Sequence, residues 1–262
     1  MRGLLVVVAI VLLGGCDVVW RIDGFEHDAR SAPGDGIDSI MVDGPLSDGG
    51  CSTLEHDEDK DLIPDRCDNC PTVINADGSD SDGDGVGNAC DPDASASDPD
   101  HIALYSAMTD LSQFVATGTP AVDTSDHAIL HYTDQLTSIA TAANPTLAIV
   151  EFQISSPATA AEPGIALGAA NCSITNKPCP TQTAPTCLKS NGTAVPLMVS
   201  FGSITALELR GSPNGFSCSA FTGAAKFQGM SIPTPLASAP ISLFVTGGTM
   251  TWAVANVIVY GH

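Results

Sequence analysis

Aspartate recurs at every second residue in two stretches, Asp57-Glu-Asp59-Lys-Asp61 and Asp80-Ser-Asp82-Gly-Asp84. In an extended or gently turning segment this spacing brings the carboxylates to one side, where their repulsion is costly unless a divalent cation sits among them. All the donors are oxygens, so the ion is a hard one, and calcium suits the set. In the second stretch Asp80, Asp82 and Asp84 fall at positions 1, 3 and 5 of a calcium loop, with Gly85 at the sharp turn. The carbonyl of Val86, then Asn88 and Asp91, complete that set. The first stretch repeats the spacing with Asp57, Asp59, Asp61, the carbonyl of Ile63, Asp65 and Asp68, but Leu62 stands where the turn glycine belongs.

EF-hand and dockerin loops space their ligands in nearly the same way, but both need amphipathic helices beside the loop. The flanks here are Cys70-Pro71, Asn75-Ala-Asp77-Gly78 and Cys90-Asp91-Pro92-Asp93, which carry no apolar stripe at a helical period. Proline, glycine and cysteine at these places break helices and staple loops. Residues 57–91 resemble the thrombospondin type 3 repeat, through Asp-Asn-Cys-Pro at 68–71, Asn75, and an Asp-x-Asp-x-Asp-Gly-x-Gly-x-x-Cys-Asp ending at 91. The family usually has glutamine where Gly78 stands and aspartate where Asn88 stands, and neither change removes a ladder. The resemblance implies calcium ions held between the ladders and a disulfide from Cys70 to Cys90 that closes the repeat.

The amino-terminal residues set an address. Arg2 precedes an apolar run from Leu4 to Leu13, and Gly14-Gly15-Cys16 follows. The run is too short for a bilayer span, which needs ~20 residues, and reads as the apolar part of a signal peptide. The small pair before cysteine resembles the bacterial lipobox. That resemblance makes Cys16 the lipid-bearing residue and the membrane a partner through its acyl chains, with ordinary secretory cleavage as the alternative. Asp17 resembles an inner-membrane retention signal of enteric bacteria, but the outer membrane or cell surface is the expected location.

Without Cys16 there remain Cys51, Cys67, Cys70, Cys90, Cys172, Cys179, Cys187 and Cys218, an even number that reads as four disulfides in an exported chain. The pairing expected inside the repeat is Cys51 with Cys67 and Cys70 with Cys90. The other four fall to the carboxy-terminal domain, and the sequence leaves their connectivity open. Cys67-Asp-Asn-Cys70 has the spacing of a redox or zinc pair but lacks the preceding strand and following helix a redox motif requires.

Charge divides the chain as sharply as the cysteines do. Of 30 acidic residues 23 fall within 17–100, out of a net charge of −21, so nucleic acid and bare anionic membrane are disfavoured as partners. The expected organisation is a signal peptide at 1–15, a flexible tether at 16–50 spanning roughly 30 Å, and the calcium repeat at 51–93. A hinge at 94–100 and a domain at 101–262 follow. The repeat reads as a stalk that calcium folds into a disulfide-locked rod.

That last domain has few charges and short apolar runs between turn residues, with strands expected at 102–106, 128–133, 147–155, 195–201, 205–210, 241–246 and 249–260. Residues 106–114 and 135–143 read as possible short helices. Alternation is clearest where Leu147, Ile149, Glu151 and Gln153 oppose Ala148, Val150, Phe152 and Ile154. The fold class expected is mostly β, a calcium-bound loop repeat followed by an antiparallel β-sandwich. The ending from Met250 to Tyr260 resembles the last strand of concanavalin A-like or laminin-G-like jelly rolls.

Glycosidases need two carboxylates about 5 to 9 Å apart. The resemblance implies a strand with Glu-x-Asp-x-x-Glu, of which Glu151-Phe-Gln-Ile keeps only the first carboxylate. Asp110, Asp123, Asp126, Asp134, Glu162 and Glu208 form no such set, and His127 and His131 lack the glutamate of a zinc-protease helix. The chain is therefore expected not to be an enzyme, but a lipid-anchored adhesion or carbohydrate-binding module. A structural or protein-interaction role is the first alternative and a glycoside hydrolase on a concanavalin A-like fold the second.

Overall fold

A computed structural model of the chain describes residues 55–93, 99–155, 160–177, 179, 184–223 and 225–262. Cys16, Cys51 and the expected tether lie outside them. Among the described residues are β1 (His101–Ser106), β2 (Phe114–Thr117), β3 (Ala121–Val122), β4 (Ala128–Leu130), β5 (Gln135–Ser138), β6 (Pro145–Ser155), β7 (Glu162–Leu167) and β8 (Ala170–Thr175). Then come β9 (Thr186–Ser190), β10 (Thr193–Leu197), β11 (Ala206–Ser212), β12 (Gly215–Thr222), β13 (Ala225–Ile232), β14 (Ile241–Thr246) and β15 (Thr251–Gly261).

These strands form two antiparallel sheets. One runs β13-β12-β11-β6-β15-β4-β3, and the other β10-β9-β8-β7-β14-β5-β2. β15 lies between β6 on one side and both β4 and β1 on the other, β4 opposite residues 252–254 and β1 opposite residues 257–261. The apolar alternates of each strand turn inward: Val150 and Phe152 from β6, Trp252 and Val254 from β15, Ile165 from β7 and Leu243 from β14 share one core. Phe152 meets Trp252 edge to face, with centroids 5.3 Å apart. Cys172 of β8 is bonded to Cys218 of β12, a covalent tie between the two sheets, and Cys179 is bonded to Cys187.

The mostly-β sandwich agrees with the sequence reading, but three parts of that reading are corrected. Ser106 ends β1 and Phe114 begins β2, with bends and turns between them, and residues 135–138 form β5, with Leu136 buried in the core. Strands β7 to β9 and β12 to β13 went unexpected, because Pro163, Gly164 and many Ser and Asn residues dilute their alternation. The third correction concerns the stalk, since the repeat lies against the outer face of the first sheet. Its Cys70, Val86 and Cys90 form a second apolar cluster with Leu147 and Ile149 of β6 and Ile258 and Tyr260 of β15. These four sheet residues therefore face a partner rather than water, which is why the outer face of β6 begins apolar and only then turns to Glu151 and Gln153. Nor is the end of the expected hinge free, for Asp100 is only 1% exposed.

Candidate metal centre

The two ladders are the same structure written twice, 23 residues apart. The Asp57 carboxylate accepts from the amides of Lys60 (2.8 Å) and Leu62 (2.9 Å), and that of Asp80 accepts from Gly83 (2.8 Å) and Gly85 (3.0 Å). Ile63 donates to Asp61 at 2.9 Å as Val86 donates to Asp84 at 2.8 Å. Glu58 donates to Asp65 at 2.8 Å as Ser81 donates to Asn88 at 3.0 Å. Both turns need left-handed backbone, with φ 97° at Gly85 and φ 81° at Leu62, so the missing glycine is met by a strained leucine. Its side chain is 81% exposed and packs on nothing that would reward the strain.

Carboxylate oxygens of Asp57, Asp59 and Asp61 lie within 4.8 Å of one another, as do those of Asp80, Asp82 and Asp84. Asp59 and Asp68 in the first ladder, and Asp82 and Asp91 at the matching places in the second, carry buried carboxylate oxygens with no hydrogen-bond partner. A buried acceptor without a donor is costly, and a hard divalent cation satisfies several of them at once. Asp65 and Asn88 are engaged otherwise, holding the loop together through the amides of Glu58 and Ser81. The charges strain against one another. Burial, with the neighbouring charges of Asp68 and Asp61, pushes the Asp59 carboxyl up to about 8. Burial pushes Asp68 up to about 7 against the amide of Cys70, and Asp91 to about 6 against the amide of Asp93. Cys70 is bonded to Cys90, as the resemblance implied, and Cys67 is also disulfide-bonded. Gly87 lets this turn close, since a Cβ there would meet Asn69, Asn75 and the Cys70 sulfur at 2.6 to 2.7 Å.

Beneath the first ladder lies a cluster that the sequence did not announce. Asn256 of β15 donates its side-chain nitrogen to Glu151 of β6 at 2.9 Å and to Glu58 of the repeat at 3.1 Å. Two carboxylates thus flank one amide nitrogen. Burial pushes Glu58 up to about 7, with His56 and Asn256 opposing it, and burial likewise raises Glu151. His56 Nδ1 donates to Asp65 Oδ2 at 2.6 Å; burial opposes its charge, but Asp65 and Glu58 hold it up at about 9. Glu151 was visible in the sequence, but its partner was not, because Glu58 lies 93 residues earlier in a different module.

The remaining candidates disperse. His127 is buried and sits 3.5 Å from Asp123, whereas exposed His131 sits 3.6 Å from Asp134, so the two histidines serve different carboxylates. Glu208 is paired with Lys226 at 2.9 Å and Glu162 with Lys189 at 2.6 Å. Of the large aromatics, Tyr105, Trp252 and Tyr260 are wholly or partly buried, and Tyr132 is exposed between β4 and β5.

Residues 50–78 match the model of the thrombospondin type 3 repeat, a calcium-binding repeat. The match ends before the second ladder, which the hydrogen bonds nevertheless show to be a copy of the first. None of the curated proteins compared matches the chain in sequence. Among solved structures the fold is similar to the beta-glucanase of Bacillus licheniformis, at 12% identity and TM-score 0.43, covering 61% of this chain and 97% of that one. It is similar also to a prokaryotic beta-1,3-1,4-glucanase (lichenase) derived from a mouse hindgut metagenome, at 9% identity and TM-score 0.45, covering 60% and 97%. A third is the Crh5 transglycosylase in complex with NAG, at 13% identity and TM-score 0.45, covering 60% and 82%. The expectation that the chain is not an enzyme is corrected by these neighbours, which are hydrolases and a transglycosylase, and is withdrawn.

Proposed function

We propose that the chain is a calcium-dependent, carbohydrate-engaging protein of the bacterial cell envelope, lipid-anchored through Cys16 at the outer membrane or cell surface. Calcium folds the repeat, and the repeat in turn covers one face of the jelly roll. The observation that carries this reading is the matched set of buried, unpartnered carboxylate oxygens on Asp59, Asp68, Asp82 and Asp91. Only cations of high charge relieve such a set while leaving the carboxylates ionised. For the carbohydrate, exposed Tyr132 offers an aromatic face for stacking. The test is retention of the chain on an immobilised glycan panel in calcium and in EGTA, with Tyr132→Ala as control. Specific retention that Tyr132→Ala abolishes supports the reading, while silence in both buffers favours a structural or protein-binding role. Lipidation is tested separately, by whether Cys16→Ser releases the chain from the membrane fraction.

A second reading, hydrolysis of a glycosidic bond, is favoured by the Glu58 and Glu151 carboxylates placed on either side of the Asn256 nitrogen. Glu58 stands high enough to hold a proton near neutral pH, as an acid must. Release of reducing ends from a β-glucan by the wild-type chain, lost in Glu151→Gln, would establish it.

A further inference from the structure

We propose that a divalent cation is bound at the junction of the repeat and the sandwich, held by Asp82, Asp84 and Asp91 of the second ladder together with Asp100, which lies beyond the repeat. In the first ladder, the amide of Asn75 crosses over to donate to Asp61 Oδ2 at 2.9 Å. In the second, the amide that donates to Asp84 Oδ2, at 2.7 Å, belongs to Asp100, the residue directly before β1. The sandwich thus supplies the rung that the next turn of repeat would have supplied, and supplies it with a carboxylate in place of a neutral amide.

The Asp100 side chain is fully buried. Its Oδ1 accepts from Thr146 Oγ1 at 3.3 Å and faces His262 Nδ1 at 3.3 Å. Its Oδ2 has no partner. Asp91 also has a buried oxygen without a partner, and both Asp82 oxygens are in the same condition. Asp84 is joined to Asp100 by the 2.7 Å hydrogen bond and has its carboxylate within 4.8 Å of that of Asp82, and the charges of Asp84, Asp82 and Asp100 all help to raise Asp91. Carboxylates of the second ladder and of Asp100 thus share this junction, and the group that faces Asp100 there from the sandwich is the His262 ring. An all-oxygen set with this charge selects calcium over softer metals, and its count of carboxylates predicts tight binding. The ion would join the modules directly, because one of its ligands is anchored to Thr146 of β6 and to the residue after β15.

The inference rests on the reading of the ladders as calcium sites, and the test separates the two. Calcium chloride is titrated calorimetrically into the full chain carrying Cys16→Ser, and into the same chain with Asp100→Asn or Thr146→Val. Asp100→Asn is expected to lose one ion or to bind its tightest ion about tenfold more weakly, while Thr146→Val keeps the wild-type number. In EDTA, Asp100→Asn is expected to unfold at or above the wild-type temperature, since one buried like charge has gone. Wild-type chain that takes up no calcium overturns the reading of the ladders. Wild-type uptake that Asp100→Asn leaves unchanged in number and affinity overturns the junction site alone. Hydrogen exchange in the chain with Asp100 intact gives a check that needs no substitution there: calcium is expected to slow the amides of Asp100 and His262, and equal rates in calcium and EDTA count against the ion at this place.

Discussion

Tyr105 and Asp65, 40 residues apart, are joined by a hydrogen bond of 3.0 Å from the phenol to the carboxylate. It is the one point at which β1 donates to the repeat through a side chain among the described contacts, and it fastens the loop that carries His56 and Glu58 above Glu151. Tyr105→Phe keeps the ring and removes the donor. It is expected to lower stability by about 1 to 2 kcal/mol, because Asp65 retains the amide of Glu58 and His56. Urea unfolding in calcium checks this, and an unchanged midpoint would show that the phenol contributes nothing to docking.

Leu62→Gly is expected to stabilise. Leucine at φ 81° bears about 1 to 2 kcal/mol of left-handed strain, against about 0.4 to 1 kcal/mol for the added freedom of glycine in the unfolded chain. Its exposed side chain loses no packing. The net gain of roughly 0.5 to 1 kcal/mol should raise the melting temperature by a few degrees, and a fall would show that the leucine holds something unseen in this geometry. Gly85→Ala, at φ 97°, should move the other way.

Proton linkage should change sign with calcium. Asp91, Asp68 and Asp59 stand at about 6, 7 and 8 in the calcium-free fold, above the 3.8 of an unperturbed aspartate. A carboxyl raised in the folded state holds its proton more tightly there than in the unfolded chain. Its contribution is therefore complete below the unfolded value and disappears as the pH rises through the folded one. In EDTA, stability should fall steadily from pH 4 to pH 8. In saturating calcium the same groups must be ionised to bind, so stability should fall on acidification instead. Guanidinium midpoints at both ends of this range, with and without calcium, give the four values needed.

Asn256→Ala removes the one donor shared by Glu58 and Glu151 and leaves two half-buried carboxylates facing each other. A loss of about 1 to 3 kcal/mol is expected. Adding Glu151→Gln should restore part of it, and strict additivity of the two changes would deny that the groups form a unit.

The tie between β8 and β12 spans 46 residues, against 8 for Cys179 to Cys187. On loop length alone, replacing Cys172 and Cys218 by alanine should cost about 4 kcal/mol, and removal of the shorter bridge about 1.5 kcal/mol less. Thermal unfolding of the two double variants ranks them, and the reverse order would place the energy in native packing rather than in the unfolded chain.

The ladders were legible because like charges at a fixed spacing have few physical excuses. Strands β6, β11 and β14 were legible because their residues alternate, and β15 because it is a nearly unbroken apolar run. The docking of the repeat was not, since Leu147 and Ile149 on the outer face of β6 look in sequence like an unremarkable part of a strand with one polar side. Nor could spacing bring Glu58 to Glu151, a meeting that depends on the second apolar cluster. Residues 135–143 suggested a helix because Leu136, Ile139 and Ala140 fall at helical intervals, yet Leu136 is held by the pairing of Gln135–Ser138 with β14 and β2.

The place of β15 in its sheet has a consequence for how the protein comes into being. It lies mid-sheet, bonded to β6 and to both β4 and β1, yet it follows all of them in the chain. During vectorial synthesis the sheet has no middle until residues 251–261 emerge, so its earlier strands wait with their edges unpaired. Such non-local closure makes assembly slow, and until it happens the edges of β6, β4 and β1 that β15 will cover stand open to other chains.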